Sequence, residues 1–478
     1  MAFEVDVPPM GVENFRSVLP PDRFEEFRRA AEHGRELLAD RVVWNLNSTA
    51  KGGGVVELLR SLVAYARGAG ADVRWMVIEG PPEFFVVTKR IHNRLHGAEG
   101  DGGALDDRAR STYEQVIAAN LAELLERVRP GDVVIVHDPQ PAGMIRPLRD
   151  IGATVIWRCH VGIDTPNEIA RQAWAFLLPY VEPADAYVFS RESFAWEGLD
   201  RDRLVVIPPT IDVFAPKNVD LDADTVSAVL RTIGMITGET DPPPVTFRRL
   251  DGTPGRVERR ARLIEAEPLE VDTPVVLQVS RWDALKDPLG VIQGFADHVP
   301  ASTGAHLVYA GPDVEAVADD PEGLAMFRES VALRDSLPEE ARRRIHLASM
   351  PMEDVDENAI MINALQRHAR VIAQKSLAEG FGLTVAEAMW KARPVVASRI
   401  GGIQDQIEHG DSGVLLDDPL DLAAFGAAIT ALLSDTKRAE EMGRRARIRV
   451  RDRFISIRSL LDYLAIIEKL LSRAPAPT

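Results

Sequence analysis

Short, dense apolar runs alternate along the chain with longer stretches whose apolar positions recur at helical spacing. The runs Arg41–Asn47, Asp72–Ile78, Asp132–Val136, Ala153–Trp157, Ala186–Phe189 and Leu204–Ile207 predict one series of strands. A second series follows at Pro274–Val279, His306–Ala310, Ile345–Leu347, Val371–Ala373 and Pro394–Ala397. Near-continuous apolar strands of this kind suit parallel sheets covered on both faces. Helical spacing marks Val55–Tyr65, Tyr113–Val128, Leu422–Leu433 and Arg438–Arg451, and helices are expected to open near Pro288 and Leu383. Strands alternating with helices predict an α/β protein.

Between the two series, residues 219–270 read as a less regular connector: a helical pattern to about Ile236, three successive prolines, and a polar segment at Asp251–Arg260. Residues 1–40 read as a polar, helix-prone lead-in, Glu99–Asp107 as a surface loop, and the tail after Ser472 as disordered. A chain of 478 residues is long enough for two large domains, each burying its own core. The expected extents are 1–215 and 216–454, with the last helix, at 455–472, presenting one broad apolar face and packing back on the first domain.

Open α/β sheets carry ligands at the carboxyl ends of their strands, and the polar residues of interest cluster there. The first strand exits into Ser48–Gly54, where Gly53 and Gly54 leave no side chain to keep a ligand from the backbone. The triplet Gly52–Gly54 is neither the dinucleotide fingerprint nor a P-loop, so NAD and ATP lose ground. His137, Asp138 and Gln140 follow one strand, and Arg158, Cys159 and His160 follow the next; each histidine reads either as a ligand-facing group or as a structural cap. In the second domain Arg281 and Lys286 follow a strand and suit a diphosphate, with a solvated basic pair as the rival reading. The sequence KSLAEGFGLTVAEAM at Lys375–Met389 turns from strand to helix through Gly380, Phe381 and Gly382, offering amides at Gly382, Leu383 and Thr384 to an anion. Glu379 precedes that turn and Glu387 lies inside the helix, so the two carboxylates suit different tasks. A nucleotide sugar would use them all: Glu379 on the hexose, the amides on phosphate, Glu387 on the ribose. The bland alternative is an ordinary βα loop with surface glutamates. A second glycine-rich exit, Arg399–Ile403, follows the next strand.

Composition narrows the classes. Hydrophobic content of 46% and charged content of 27% describe a soluble globular chain, and a net charge of -17 argues against nonspecific nucleic-acid binding. One cysteine, Cys159, excludes an internal disulfide and a cysteine-only zinc site. No leader-like segment and no long charge-free apolar run is found, so a cytoplasmic protein without a membrane partner is expected.

These motifs resemble the retaining glycosyltransferases of the GT-B fold, family GT4, and within them the trehalose glycosyltransferring synthases. The wider family is matched by the Glu379–Glu387 motif, the pair Arg281 and Lys286, the glycine loop and His160. The trehalose branch is matched by NSTAKGGGVVELL at Asn47–Leu59, HDPQP at His137–Pro141, WRCH at Trp157–His160, PPTIDVFAPKN at Pro208–Asn218 and VSRWDALKDPLGVI at Val279–Ile292. One departure from the pattern is the polar connector around Asp251–Arg260. The resemblance implies two Rossmann-like domains facing across a deep cleft, acceptor on the first and donor on the second. It implies a hexosyltransferase moving glucose from a nucleoside diphosphate glucose, ADP- or UDP-glucose, to free glucose, giving α,α-trehalose with retention. The alternative is a retaining trehalose phosphorylase, which turns trehalose and phosphate into glucose 1-phosphate and glucose; a binding protein without turnover is a third class. His160, Arg281, Lys286 and Glu379 carry the implied catalysis. Gly53, Gly54, Asp138, Gln140, Gly380, Phe381, Gly382, Leu383, Thr384 and Glu387 carry the implied substrate binding. No protein-held metal or tightly bound cofactor is implied, Mg2+ being at most stimulatory, and a homodimer is expected.

Overall fold

The computed structural model describes residues 2–51, 53–238, 245–314 and 321–473. Gly52, Pro242, Pro243, Pro244 and the tail from Ala474 lie outside them, and with them the expectations placed on those positions. The chain divides into two compact units, Met1–Thr210 with Ser456–Thr478, and Ile211–Ile455.

The first unit is built on β1 (Phe3–Glu4), β2 (Val43–Asn47), β3 (Val73–Val77), β4 (Val133–His137), β5 (Thr154–Cys159), β6 (Ala186–Phe189) and β7 (Leu204–Val206). Their order is β1-β3-β2-β4-β5-β6-β7, with β1 antiparallel to β3 and the other neighbours parallel. Successive side chains point to opposite faces, so Val43, Ile135 and Ile156 meet Leu59 and Val63 of the helix Gly54–Gly68 and Tyr463, Ile466 and Ile467 of the helix Ser456–Leu471. Trp44, Val134 and Trp157 join the opposite core with Ile91, Tyr113 and Leu177. One helix there, Pro82–Leu95, was not expected from the sequence. Its buried Phe84, Val87, Ile91 and Leu95 keep helical spacing, but Pro81 and Pro82 at its start and the charges between them hide the pattern.

The second unit has its sheet in the order β10-β13-β12-β11-β14-β15-β16, from β10 (Arg262–Ile264), β11 (Val275–Val279), β12 (His306–Pro312), β13 (Ile345–Met350), β14 (Val371–Gln374), β15 (Val395–Ser398) and β16 (Val414–Leu416). Only β10 is antiparallel, against β13. The connector is more regular than its composition suggests: a helix at Ala223–Thr232, a hairpin of β8 (Val245–Arg248) and β9 (Pro254–Val257), then β10. Its polar residues anchor it to the helix Val355–His368, where Arg259 pairs with Glu357, and Glu357 Oε1 accepts from the amides of Glu258 at 2.7 Å and Arg259 at 2.8 Å. Among the described residues no helix is long and apolar enough to cross a membrane.

Candidate functional site

In each sheet the strand order reverses about a central strand, between β2 and β4 in the first and between β11 and β14 in the second. Loops leaving two such strands part in opposite directions and open a crevice. In the first unit the glycine loop leaves β2, and Asp138 leaves β4; in the second, the Arg281–Lys286 segment leaves β11 and Glu379 follows β14.

At the first switch point Asn47 anchors the glycine loop, donating from Nδ2 to the Thr49 carbonyl at 2.7 Å while its Oδ1 accepts from Trp75 at 2.8 Å. Gly53 takes φ +84 as the helix begins, with open space where a side chain would stand; the left-handed backbone, and not crowding, calls for glycine. Gly54 opens that helix and is exposed. Asp138 also has positive φ, +65, and its carboxylate accepts from the His160 amide at 2.8 Å, tying the exits of β4 and β5 together. Burial pushes the Asp138 carboxyl up to about 6, against the His160 amide and Arg158, which lower it. Gln140 is partly exposed at the same turn.

His160 and His137 stack with ring centroids 5.4 Å apart and share an Nε2 to Nδ1 hydrogen bond of 3.1 Å. His137 Nε2 lies 3.1 Å from Asn45 Oδ1, and the Arg158 Nε faces His160 Nδ1 at 3.5 Å. A guanidinium only donates and a carbonyl oxygen only accepts, so the chain runs one way. Arg158 donates to His160 Nδ1, His160 Nε2 donates to His137 Nδ1, and His137 Nε2 donates to Asn45. Both rings are therefore neutral. Burial first, then Arg158, drives His137 down to about 3, and the same causes with His137 lower His160. Arg158, buried in the sheet, is fixed by the carbonyls of Phe189 at 3.2 Å and Ile207 at 2.7 Å. Nothing in the sequence around Asn45 marks it as a partner; its face on β2 and the register to β4 do.

At the second switch point Lys286 Nζ meets Glu379 Oε2 at 2.6 Å, both side chains being about 15% exposed, 15% and 14%. The two loops also join by backbone, the Leu377 amide donating to the Leu285 carbonyl at 2.8 Å. Arg281 stands outside this pair: its side chain is 70% exposed and bonds Asp283 at 2.9 Å, so the structure joins Lys286 to Glu379 and leaves Arg281 at the rim. Gly382, φ +79, caps the helix Leu383–Trp390, whose first-turn amides at Leu383 and Thr384 have no carbonyl acceptor within the helix. Phe381 is buried against Phe454, and the Gly380 carbonyl accepts from the Gly402 amide at 2.8 Å. A Cβ on Gly401 would stand 2.0 Å from the Glu379 carbonyl, so the second glycine exit is what lets the first loop lie where it does. Glu387 is 2% exposed; Oε1 faces Lys217 at 3.4 Å and Oε2 is buried without a partner. Behind it Lys391, also buried, donates to Asn218 Oδ1 at 3.1 Å and is pushed down to about 7 by burial, against Glu387. Sequence reading missed Asp287, Lys375 and Gln278. Lys375 pairs with Asp287, and Gln278 Nε2 donates to the Lys286 carbonyl at 2.8 Å, so the loop bearing Lys286 is held from beneath. Among the described residues no group of three His, Cys, Asp or Glu side chains converges as a metal site.

Residues 45–196 match the family "Trehalose synthase, N-terminal domain", and residues 260–449 match "Glycosyl transferases group 1". The chain is 37% identical over 461 residues to a protein of Rubrobacter xylanophilus called trehalose synthase, covering 96% of both chains. It is 26% identical to a trehalose phosphorylase of Pleurotus pulmonarius, spanning 90% of this chain and 59% of that one. Its fold matches the solved α,α-trehalose 6-phosphate synthase of Burkholderia multivorans with a TM-score of 0.64 at 15% identity, covering 91% of this chain and 100% of that one.

Proposed function

This chain belongs to the trehalose synthase family of glycosyltransferases, with the GT-B fold, and on that premise we propose that it transfers glucose from ADP- or UDP-glucose to free glucose, giving α,α-trehalose with retention. The observation that carries this reading is the Lys286 to Glu379 contact of 2.6 Å at the switch point of the second sheet, beside the free first-turn amides of Leu383 and Thr384. A diphosphate takes Lys286 and those amides, and Arg281 closes on it from the rim. Glu379, released from Lys286, accepts from hydroxyls of the departing hexose. The unpartnered Oε2 of Glu387 suits a ribose hydroxyl. In the transfer the bond from the glucose C1 to the phosphate oxygen breaks, the bond from C1 to the acceptor oxygen forms on the same face, and the leaving phosphate takes the acceptor's proton. The charge growing on that phosphate meets a fixed cation and fixed amides, an electrostatic route that needs no covalent glucosyl-enzyme. In the first unit Asp138, Gln140 and His160 are the groups assigned to sugar hydroxyls, His160 exchanging one of its present partners for substrate.

The lower-identity phosphorylase relative supports a second reading, trehalose plus phosphate to glucose 1-phosphate and glucose. A product assay decides between them. Trehalose is expected from nucleoside diphosphate glucose and glucose without added phosphate; turnover confined to trehalose plus phosphate would replace the first reading by the second.

A further inference from the structure

The amino edge of the second sheet, opposite the edge that carries Lys286 and Glu379, holds a cavity of about 340 Å³. Its polar wall is Ser227, Asp272, Thr273, Arg367, His368, Arg370 and Arg393. Thr273, Arg370 and Arg393 stand just ahead of β11, β14 and β15, while Arg367 and His368 end the helix Val355–His368. In a chain of net charge -17, three guanidiniums around one cavity call for a cause. Basic residues at a helix carboxyl end complement its dipole, and that explains Arg367, which is bonded to Asn363 and Asp220 at 2.9 Å each. It does not explain the rest. His368 Nε2 and Arg393 Nε are buried with no hydrogen-bond partner, and Arg370 is exposed at the rim. Burial, then Arg367 and Arg370, pushes Arg393 down to about 10, and burial, then Arg393 and Arg370, lowers His368. The acids in reach are Asp272 on the wall, Asp220 on Arg367, Glu440 toward Arg393, and Asp222, which caps the helix Ala223–Thr232. They leave the donors of His368 and Arg393 unmet.

We propose that this cavity binds a phosphate group, free or as the monoester of a small metabolite. The oxygens of a phosphate fit the guanidinium forks of Arg370 and Arg393, which line the cavity with Arg367 and His368, while Leu221, Val226 and Val271 on the remaining wall would meet the body of a monoester.

Calorimetric titration of the full chain with inorganic phosphate, a hexose monophosphate and the unphosphorylated hexose tests the site. Both phosphates are expected to bind, and any binding of the hexose, which the acceptor groups of the first unit take, is expected to be the same in Arg370→Glu as in the wild-type chain. The titrations are repeated in Lys286→Ala, where binding must persist if the donor loops are not the site. Arg370→Glu, at an exposed position that leaves the fold intact, should weaken binding by roughly tenfold or more, with Arg393→Gln as the second variant. Tighter binding of the monophosphate assigns a phosphorylated metabolite, and equal affinities assign free phosphate. Unchanged affinity in Arg370→Glu, loss of binding in Lys286→Ala, or no saturable binding by the wild-type chain overturns the proposal.

Discussion

At the scale of single residues, the Lys286 to Glu379 contact makes an uncommon demand. The carboxylate that would serve the hexose also neutralises the cation that would serve the phosphate. Glu379→Gln leaves that cation unpaired, so a nucleoside diphosphate should bind it as well as or better than it binds the wild type, while the saturated rate falls by roughly a hundredfold or more. Lys286→Ala should lose rate by roughly tenfold to a thousandfold and lose diphosphate affinity with it. Calorimetry with the diphosphate beside single-turnover kinetics separates the two patterns, and weakened diphosphate binding in Glu379→Gln would refute the shared role. Glu387→Gln should chiefly weaken donor binding.

Lys391 supplies a pH signature. Burial holds its folded-state pKa near 7, below the ordinary 10.5. Between those values the unfolded chain binds the extra proton, so this group makes stability rise with pH across that window and lowers it below. Lys391→Met should remove that rise, seen as a flatter difference in denaturant midpoint between neutral and alkaline buffers. Of these residues the sequence marked Glu379, Glu387 and Lys286 by their place after strands, but Lys391, Asn45 and Arg158 take their roles from contacts across strands or turns that no local pattern encodes.

Among elements, the loop carrying Glu379 is shaped by a neighbour. Gly401, φ +46, lies against the Glu379 carbonyl, so Gly401→Ala forces the loop to shift as well as straining its own backbone. A loss of about 1–3 kcal/mol in stability is expected, together with a fall in transfer rate larger than the unfolded fraction accounts for. Urea melts and kinetics on the same sample check both; an undiminished rate would mean that the loop's position is immaterial. The strands and helices near both switch points were legible because buried parallel strands are nearly unbroken apolar runs. The hairpin β8–β9 was not, since Arg249 and Arg259 hold it by ion pairs to Asp354 and Glu357, about 100 residues on, and such pairing leaves no periodic trace.

For the whole molecule, the last helix matters most. Tyr463, Ile466 and Ile467 are buried in the core of the first unit. At about 1.5–3 kcal/mol for each buried side chain, their removal costs on the order of 4.5–9 kcal/mol, comparable with the stability of an entire domain. A chain ending before Ser456 should therefore retain a folded second unit and lose cooperative melting of the first, while residues 211–455 expressed alone should fold. Circular dichroism melts on the two truncations would show it, and native-like melting of the first unit in the shortened chain would contradict the packing.

The same helix imposes an order on synthesis. The ribosome delivers the first unit's strands early, but the segment that closes their core follows only after the whole second unit has emerged. Domains usually fold as they appear, amino-terminal first; here the unit made first must wait, its apolar sheet face open to chaperones or to neighbouring nascent chains, until a helix made after the second unit arrives to cover it.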